Sequence, residues 1–376
     1  MEDWELVRIG DVYAERSERG AENMDLLSVT MTEGVKMRSD IEGKDNSSED
    51  KSNYKIVYTG DMVYNSMRMW QGASGISPYD GIVSPAYTIL KPRIPISNGF
   101  FAALFKNERL INAFRKNSQG MTSDTWNLKY PQIETIKIHI PSVSEQEKIS
   151  EFIALVDAKI AKQRILVDSL KKYKRGLVSS ILSEKIKISD EPWEECTIGD
   201  FLASKSIKQL PTEEAPLMAF TATGGVCDKG ERYDRGFLVK DASTKLYKRT
   251  DYGDFIYSSN NLDVGSIGLN LYGSAVISDV YEIFSINGAD PWFISEVIQQ
   301  KPIMRDILKY RQGCLYGQYR IYAEDFLSVK IRIPSLPLQS KIGALISQVE
   351  SKILAEQGLL DNLEKCKAAL LQMMFI

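Results

Sequence analysis

Apolar residues recur every three and four positions over two long stretches of the chain. The first runs through Ile149, Ile153, Val156, Ile160, Gln163, Val167, Leu170, Lys174, Leu177 and Ile181. The second runs through Ile342, Ile346, Val349, Ile353, Glu356, Leu360, Leu363, Lys367, Leu370 and Met374. A period of 3.5 held over about five heptads predicts a coiled coil. The polar exceptions fall at the same two places in each stretch. A helix of about 40 residues is about 60 Å long at 1.5 Å rise per residue, more than one small domain covers. Its twin is the natural partner; the alternative is two amphipathic helices, each packed on its own domain. Ser144 and Glu147 read as a capping box opening the first helix. Pro337 suits a first-turn position in the second.

The remaining pattern is short and β-rich. Lys55–Tyr58, Met62–Tyr64 and Ala86–Leu90 read as strands between Gly, Asn, Asp and Pro breaks. Phe101–Phe114 and Trp292–Leu308 read as helices, the second interrupted by Pro302. Residues 39–53 are polar and read as a mobile loop.

These elements occur twice. Trp4-Glu-Leu-Val-Arg-Ile-Gly-Asp11 returns as Trp193-Glu-Glu-Cys-Thr-Ile-Gly-Asp200, an offset of 189. Gly60-Asp-Met-Val-Tyr-Asn-Ser66 returns as Gly253-Asp-Phe-Ile-Tyr-Ser-Ser259 at 193, and Lys137-Ile-His-Ile-Pro-Ser142 as Lys330-Ile-Arg-Ile-Pro-Ser335 at 193. Tyr87 aligns with Tyr281, and Gln119-Gly120 with Gln312-Gly313. A near-constant offset marks an internal duplication. Each unit is a variable globular part followed by a long helix.

Composition narrows the class. At 376 residues, with 43% hydrophobic and 26% charged positions, the chain reads as globular with room for two domains. No apolar run approaches the roughly 18–20 residues of a membrane span. The acidic opening lacks a signal peptide's pattern, so a cytoplasmic protein is expected. Cys196, Cys227, Cys314 and Cys366 are scattered and His139 is the only histidine, which leaves no natural zinc set and suggests reduced thiols. A net charge of −3 argues weakly against a small basic DNA binder, because local patches carry recognition.

Catalytic signatures are missing from the sequence. There is no G-x-x-x-x-G-K-[ST], no G-x-S-x-G and no N/D-P-P-Y/F motif. Thr221-Ala-Thr-Gly-Gly225 lacks the strand and helix context of a nucleotide loop and reads as a turn. His139 lies in the alternating run Ile136–Ile140, opposite the isoleucines, and reads as solvated. No cofactor and no metal are expected.

Ile140-Pro-Ser-Val-Ser-Glu-Gln-Glu-Lys-Ile149 and Ile333-Pro-Ser-Leu-Pro-Leu-Gln-Ser-Lys-Ile342 resemble the I-P-x-x-x-E-Q-x-K-I helix entries of type I restriction–modification specificity subunits. The opening W-x-x-x-x-I-G-D and the stretch from Gly60 to Tyr87 fit the same family, and the resemblance covers essentially the whole chain. Leu338 departs from it, standing where the family usually has Glu, as at Glu145.

The resemblance implies an α+β fold. Two tandem mixed α/β target recognition domains, 1–141 and 184–334, are each followed by a long helix, 142–183 and 335–376. The helices would pack as an antiparallel coiled coil, a ruler between the domains. It further implies a non-catalytic subunit that reads two half-sites of double-stranded DNA. Two methyltransferase subunits and the motor-nuclease subunits would be its partners, with no role for a membrane. Because the copies differ, the half-sites should differ, and a fixed gap should leave the spacer unread. The rival reading is a two-domain scaffold that binds two protein partners without DNA.

Base reading calls for Arg, Asn, Gln or Lys on protruding loops. In the first copy the candidates are Lys36, Arg38, Lys44, Asn65, Arg68, Gln71, Gln119 and Thr122. In the second they are Asn260, Asn261, Asn270, Arg311, Gln312, Tyr316, Gln318 and Arg320. Met69 and Trp70 fit packing better than base stacking. Residues 159–175 carry seven Lys/Arg against one Asp. That run suits either a phosphate backbone or a partner subunit, or charge pairing with Glu350, Glu356, Asp361 and Glu364 on the other helix.

Overall fold

The structure, a computed structural model, describes residues 4–20, 24–31, 33–45, 47–122, 125–222, 224–228, 245–260, 262–263, 266–315 and 318–375. It divides into two units. One comprises Met1–Ile165 with Gln357–Ile376, and the other Leu166–Glu356. Each unit therefore takes its globular part, the first half of the helix that follows it, and the far end of the other long helix.

In the first unit, strand Glu5–Arg8 pairs antiparallel with Lys137–Ile140, Glu5 opposite Ile140. A four-stranded antiparallel sheet has the order Tyr13–Arg16, Tyr87–Pro92, Met62–Asn65, Ser74–Ile76. Lys55–Val57 pairs with Gly81–Val83, and Leu27–Thr30 forms a hairpin with Gly34–Met37. The second unit repeats the plan. Glu194–Thr197 pairs with Lys330–Ile333, and the four-stranded sheet runs Leu202–Ser204, Tyr281–Ile286, Phe255–Ser258, Ile267–Leu269. Lys208–Gln209, Tyr247–Thr250 and Ala275–Ile277 form a three-stranded sheet, and Ala219–Thr221 pairs with Gly225–Cys227. A further hairpin, Gln312–Leu315 with Gln318–Arg320, matches a single antiparallel bridge in the first unit, Gln119 with Asn127, at the 193 offset.

The expected helix over Phe101–Phe114 is two helices, Asn98–Leu104 and Glu108–Asn117. Asn107 breaks it by accepting the amide hydrogens of Arg109 and Leu110, a cap that competes with helix continuation. The expected Trp292–Leu308 helix is likewise Pro291–Ile298 and Lys301–Leu308. Pro302 sits in the first turn of the second piece, where its missing N–H is no loss, so the break falls before it.

The first long helix spans Val143–Leu182 and the second Leu336–Met374. Ser144 therefore lies inside the helix and does not cap it; upstream of it, Ser142 Oγ accepts the Glu145 amide at 3.4 Å. Every position of both predicted heptad series is buried or half-buried. In the first unit Asp157 pairs with Lys367 at 2.5 Å and Arg164 with Glu364 at 2.7 Å, so the helix segments run antiparallel. In the second unit Lys174 pairs with Glu350 at 2.8 Å, while Val178 and Ile181 share a core with Leu338, Ile342 and Ile346. Asp157–Lys367 and Glu350–Lys174 are the same pair at the 193 offset. Two of the polar exceptions in the heptads, Lys174 and Lys367, thus pair across the helices, one per unit. The two long helices pack as the coiled coil that the heptads predict.

Each end of a long helix completes a core it does not follow in sequence. Leu371 and Phe375 pack with Ile9, Phe100 and Ile140, with Trp4 alongside. Phe375 meets Phe100 at 5.4 Å and Trp4 at 6.4 Å between ring centroids. In the second unit Trp193 meets Phe293 at 5.8 Å, but Leu182 occupies the Phe375 position. A groove of about 930 Å³ stays open there, lined by Val178, Leu182, Trp193, Val297 and Pro302.

The repeated motifs have structural jobs. Asp11 and Asp200 accept the backbone N–H of Arg8 and Thr197, while Ile9 and Ile198 are fully buried. Gly60 and Gly253 take φ of +92° and +86°, a turn that disfavours a Cβ. The aspartates after them are anchors: Arg16 Nε donates to Asp61 at 2.8 Å, and Lys205 Nζ donates to Asp254 at 2.8 Å. Burial works to raise the Asp251 carboxyl, yet hydrogen bonds from Lys205, Arg249 and Ser274 hold it well below the usual carboxylate range.

The helix-entry motif turns on its glutamine. Gln146 Nε2 donates to the Pro141 carbonyl and its Oε1 accepts the Ser97 N–H; Gln339 does the same with Pro334 and Asp290. Both are nearly fully buried. The neighbouring Glu position is free to vary, and Leu338 there packs into the second core. Gln339→Ala should cost about 1–3 kcal/mol by stranding the Pro334 carbonyl and Asp290 amide. Leu338→Glu should also destabilise, whereas Glu145→Leu should be close to neutral. Urea unfolding of the three variants checks the ranking, and equal losses for Gln339→Ala and Glu145→Leu would defeat it.

Candidate nucleic-acid interface

Two loops of the first unit are brought together just past the end of strand Met62–Asn65. The loop 66–73 follows strand Met62–Asn65, and the segment 118–128 follows helix Glu108–Asn117. The Leu128 amide donates to the Ser66 carbonyl at 2.9 Å. Trp70 and Trp126 meet edge to face at 5.3 Å, and the Arg115 guanidinium lies over Trp70 at 5.7 Å. Met69 is fully buried, in line with the packing role expected of it.

The second unit makes the same junction with different side chains. The Ile321 amide donates to the Ser259 carbonyl at 2.9 Å, the bond of Leu128 to Ser66 at the repeat offset. Asn260 bridges to Arg320. Arg311 stacks over Tyr319 at 5.5 Å and Arg320 over Tyr322 at 4.9 Å. Arg320 also reaches Glu282 at 3.4 Å, which Lys248 holds at 2.8 Å.

The candidate residues fall into three groups. Arg68, Gln119 and Thr122 are exposed around the tryptophan pair, with Gln71 half-buried and 3.5 Å from the Arg68 guanidinium. Arg311, Gln312 and Arg320 are exposed around the second junction, Gln312 donating to Asp325 at 2.7 Å, with Asn260 half-buried. Gln318 lies on the strand beside Arg320. Lys36 and Lys44 stand apart: Lys36, on the 27–37 hairpin, pairs with Glu33 at 2.6 Å, and Lys44 is exposed.

Others have local duties. Arg38 donates to the carbonyls of Ile41, Gly43 and Lys44 and so shapes the polar loop after it. Asn65 Oδ1 accepts the Met67 amide and makes a turn. Asn270 is a correction. It is fully buried, its amide bonded to Thr250 and the Gly273 carbonyl and its oxygen to the amides of Tyr272 and Gly273, so it builds a turn and offers no edge to a base. Asn261 and Tyr316 lie outside the described residues.

Sequence reasoning missed Arg115, Tyr319 and Tyr322, which present or support the cationic groups. Tyr319 and Tyr322 flank Arg320 and were within reach of the loop alignment. Nothing local links Arg115 to Trp70. His139 and Arg332 are exposed while the isoleucines beside them are buried. Of the basic run, Arg164 and Lys174 pair across the helices, as the charge-pairing alternative expected. Among the described residues no three His, Cys, Asp or Glu side chains gather as a metal site, and no helix is long and apolar enough to cross a membrane.

Residues 1–167 match the model of the type I restriction modification DNA specificity domain. No curated protein matches the chain significantly. Its fold is similar to the crystal structure of a type I restriction–modification system S subunit from M. genitalium. The TM-score is 0.62 at 14% identity, covering 100% of this chain and 96% of that one. It is also similar to a chain from a structure titled for complex assembly and conformational transition of the type I R-M system. There the TM-score is 0.55 at 15% identity, covering 99% of this chain and 97% of that one. The family model covers the first copy, and the repeated helix entry, G-D turn and W-x-x-x-x-I-G-D opening extend the same plan through the second. Residues 1–167 thus match the type I restriction modification DNA specificity domain, and the fold of the chain is similar to that of these two solved structures.

Proposed function

We propose that the chain reads a split DNA target, one half-site per globular unit, and directs adenine methyltransferase and motor-nuclease subunits to it without performing bond chemistry itself. One observation carries this reading. The same loop junction occurs in both units on the same backbone bond, yet it presents Arg68, Gln71 and a tryptophan pair in one and Arg311, Arg320 and tyrosines in the other. A shared scaffold with different reading groups suits two unlike half-sites. Antiparallel long helices suit a spacer of fixed length.

Partner docking has its own support. Phe152, Leu166 and Tyr173 on the first long helix, and Leu345, Leu359 and Met373 on the second, are exposed at heptad spacing outside the coiled-coil seam. Exposed apolar residues in register suit further protein surfaces.

The test is modified-base sequencing after co-expression with the neighbouring methyltransferase in a host lacking adenine methylation. The expected motif has two different halves, a constant gap and one methyladenine in each half. Exchanging residues 184–334 for those of another family member should change one half and leave the other intact. A continuous motif, or a change in both halves, would refute the reading and favour a protein scaffold. A scaffold would also show only weak, salt-sensitive DNA affinity with all partners present.

A further inference from the structure

Lys106 follows helix Asn98–Leu104 and is the residue before the Asn107 cap. Its ammonium donates to two backbone carbonyls on segments far apart in sequence, Met31 at 2.9 Å and Gly72 at 2.6 Å. Met31 lies at the turn of the hairpin Leu27–Thr30/Gly34–Met37, and Gly72 ends the short 3-10 turn Met69–Gln71. The first segment carries Lys36; the second carries Arg68 and Gln71. The hairpin also touches strand Ser74–Ile76, which follows the loop. A Cβ on Gly75 would lie 2.7 Å from the Gly34 Cα, so hairpin and strand already meet at the closest approach glycine allows. One cation thus ties the hairpin to the reading loop, and a glycine contact seats the hairpin on the strand that follows that loop.

Among the described residues the second unit shows no such clamp. Gln299 stands at the Lys106 position, and its amide donates to Ser295 within its own helix. There the Ala219–Thr221 hairpin strand is held instead by the Ser266 and Tyr281 hydroxyls, which both donate to the Phe220 carbonyl.

We propose that Lys106 is a positioning residue for recognition in the first unit alone, clamping the 27–37 hairpin to the 66–73 loop so that both meet one half-site in a single register. The inference rests on the half-site reading above. Its logic is geometric: a base-reading side chain discriminates only when its backbone is held, and a lone cation across two carbonyls holds two backbones at once.

The experiment uses the full chain assembled with its methyltransferase, acting on a library randomised over both half-sites. Lys106→Gln installs the second unit's residue, and Lys106→Arg retains a cation. Lys106→Gln should weaken base discrimination about tenfold at one or more positions of one half-site, with the other half unchanged. Arginine should restore much of it. Hydrogen exchange on the same complex should show faster exchange at 27–37 and 66–73 in Lys106→Gln, with the second unit unchanged. Unchanged discrimination, or equal loss in both halves, would overturn the clamp. If Lys106→Gln assembles poorly, the exchange pattern decides: protection lost throughout the first unit means a core residue, and loss confined to the two segments means a clamp. A parent chain that yields no split motif would instead fail the half-site reading, an outcome scored before any variant is compared.

Discussion

Phe375→Ala should destabilise the first unit by about 3–5 kcal/mol, the cost of removing a buried phenylalanine and leaving its cavity. The ring is almost completely buried between Trp4 and Phe100. The residue is 371 positions from Trp4, yet both belong to one core. The loss should therefore appear in the domain at the opposite end of the sequence. Hydrogen exchange reads it directly, with peptides around 9–13 and 100–105 losing protection and those around 255–257 and 293–298 keeping it. Leu182→Ala, the matching change in the second unit, removes a half-buried side chain beside an open groove and should cost only about 1–2 kcal/mol. Loss of protection in the second unit on Phe375→Ala would show that the helix end is docked elsewhere.

Lys174→Met should cost the second unit about 3 kcal/mol. Lys174 bridges Glu296 at 2.5 Å and Glu350 at 2.8 Å, and all three side chains are about four-fifths buried. Removing the cation leaves two carboxylates facing each other out of water; stripping one partner from a buried pair typically costs about 3–5 kcal/mol. The estimate sits at the low end because each group keeps some solvent. Lys367→Met, at the same heptad place, should cost under about 1 kcal/mol. Its ion-pair partner Asp157 is half exposed, and such pairs contribute little. Urea unfolding at neutral pH with both variants gives the comparison. Burial works against the Lys174 charge, but Glu296 and Glu350 raise its pKa above the ordinary 10.5. Its contribution is then complete at neutral pH and is lost only in alkali, as pH rises through that raised value. Equal losses for the two lysines would mean that the third partner, Glu296, adds nothing.

These two predictions share a cause that also explains what could be read early. The heptads were legible because burial of a seam imposes a local period, and all of their positions are covered. The duplication was legible because the framework has fixed chemical needs. A left-handed turn needs Gly60 and Gly253, a buried cation needs Asp61 and Asp254, and a proline carbonyl needs Gln146 and Gln339. Such needs act over a few residues or recur in both copies, so they leave a pattern. The resemblance to type I specificity subunits follows from that pattern.

The reading surface left no such trace. Arg115 meets Trp70 across 45 positions and Lys106 reaches Met31 across 75, and no period relates them. Asn270 resembled a base reader by residue type alone. Only its surroundings, a turn with every polar atom bonded, withdrew it. The helix break at Asn107 was decided by a side-chain cap and the one before Pro302 by proline's missing N–H, and hydropathy weighs neither. Sequence alone determined the repeat, the long helices and their seam, because those depend on periodic burial. Tertiary structure alone decided which helix end closes which core and which loops meet, because those contacts join residues whose separation the chain does not encode locally.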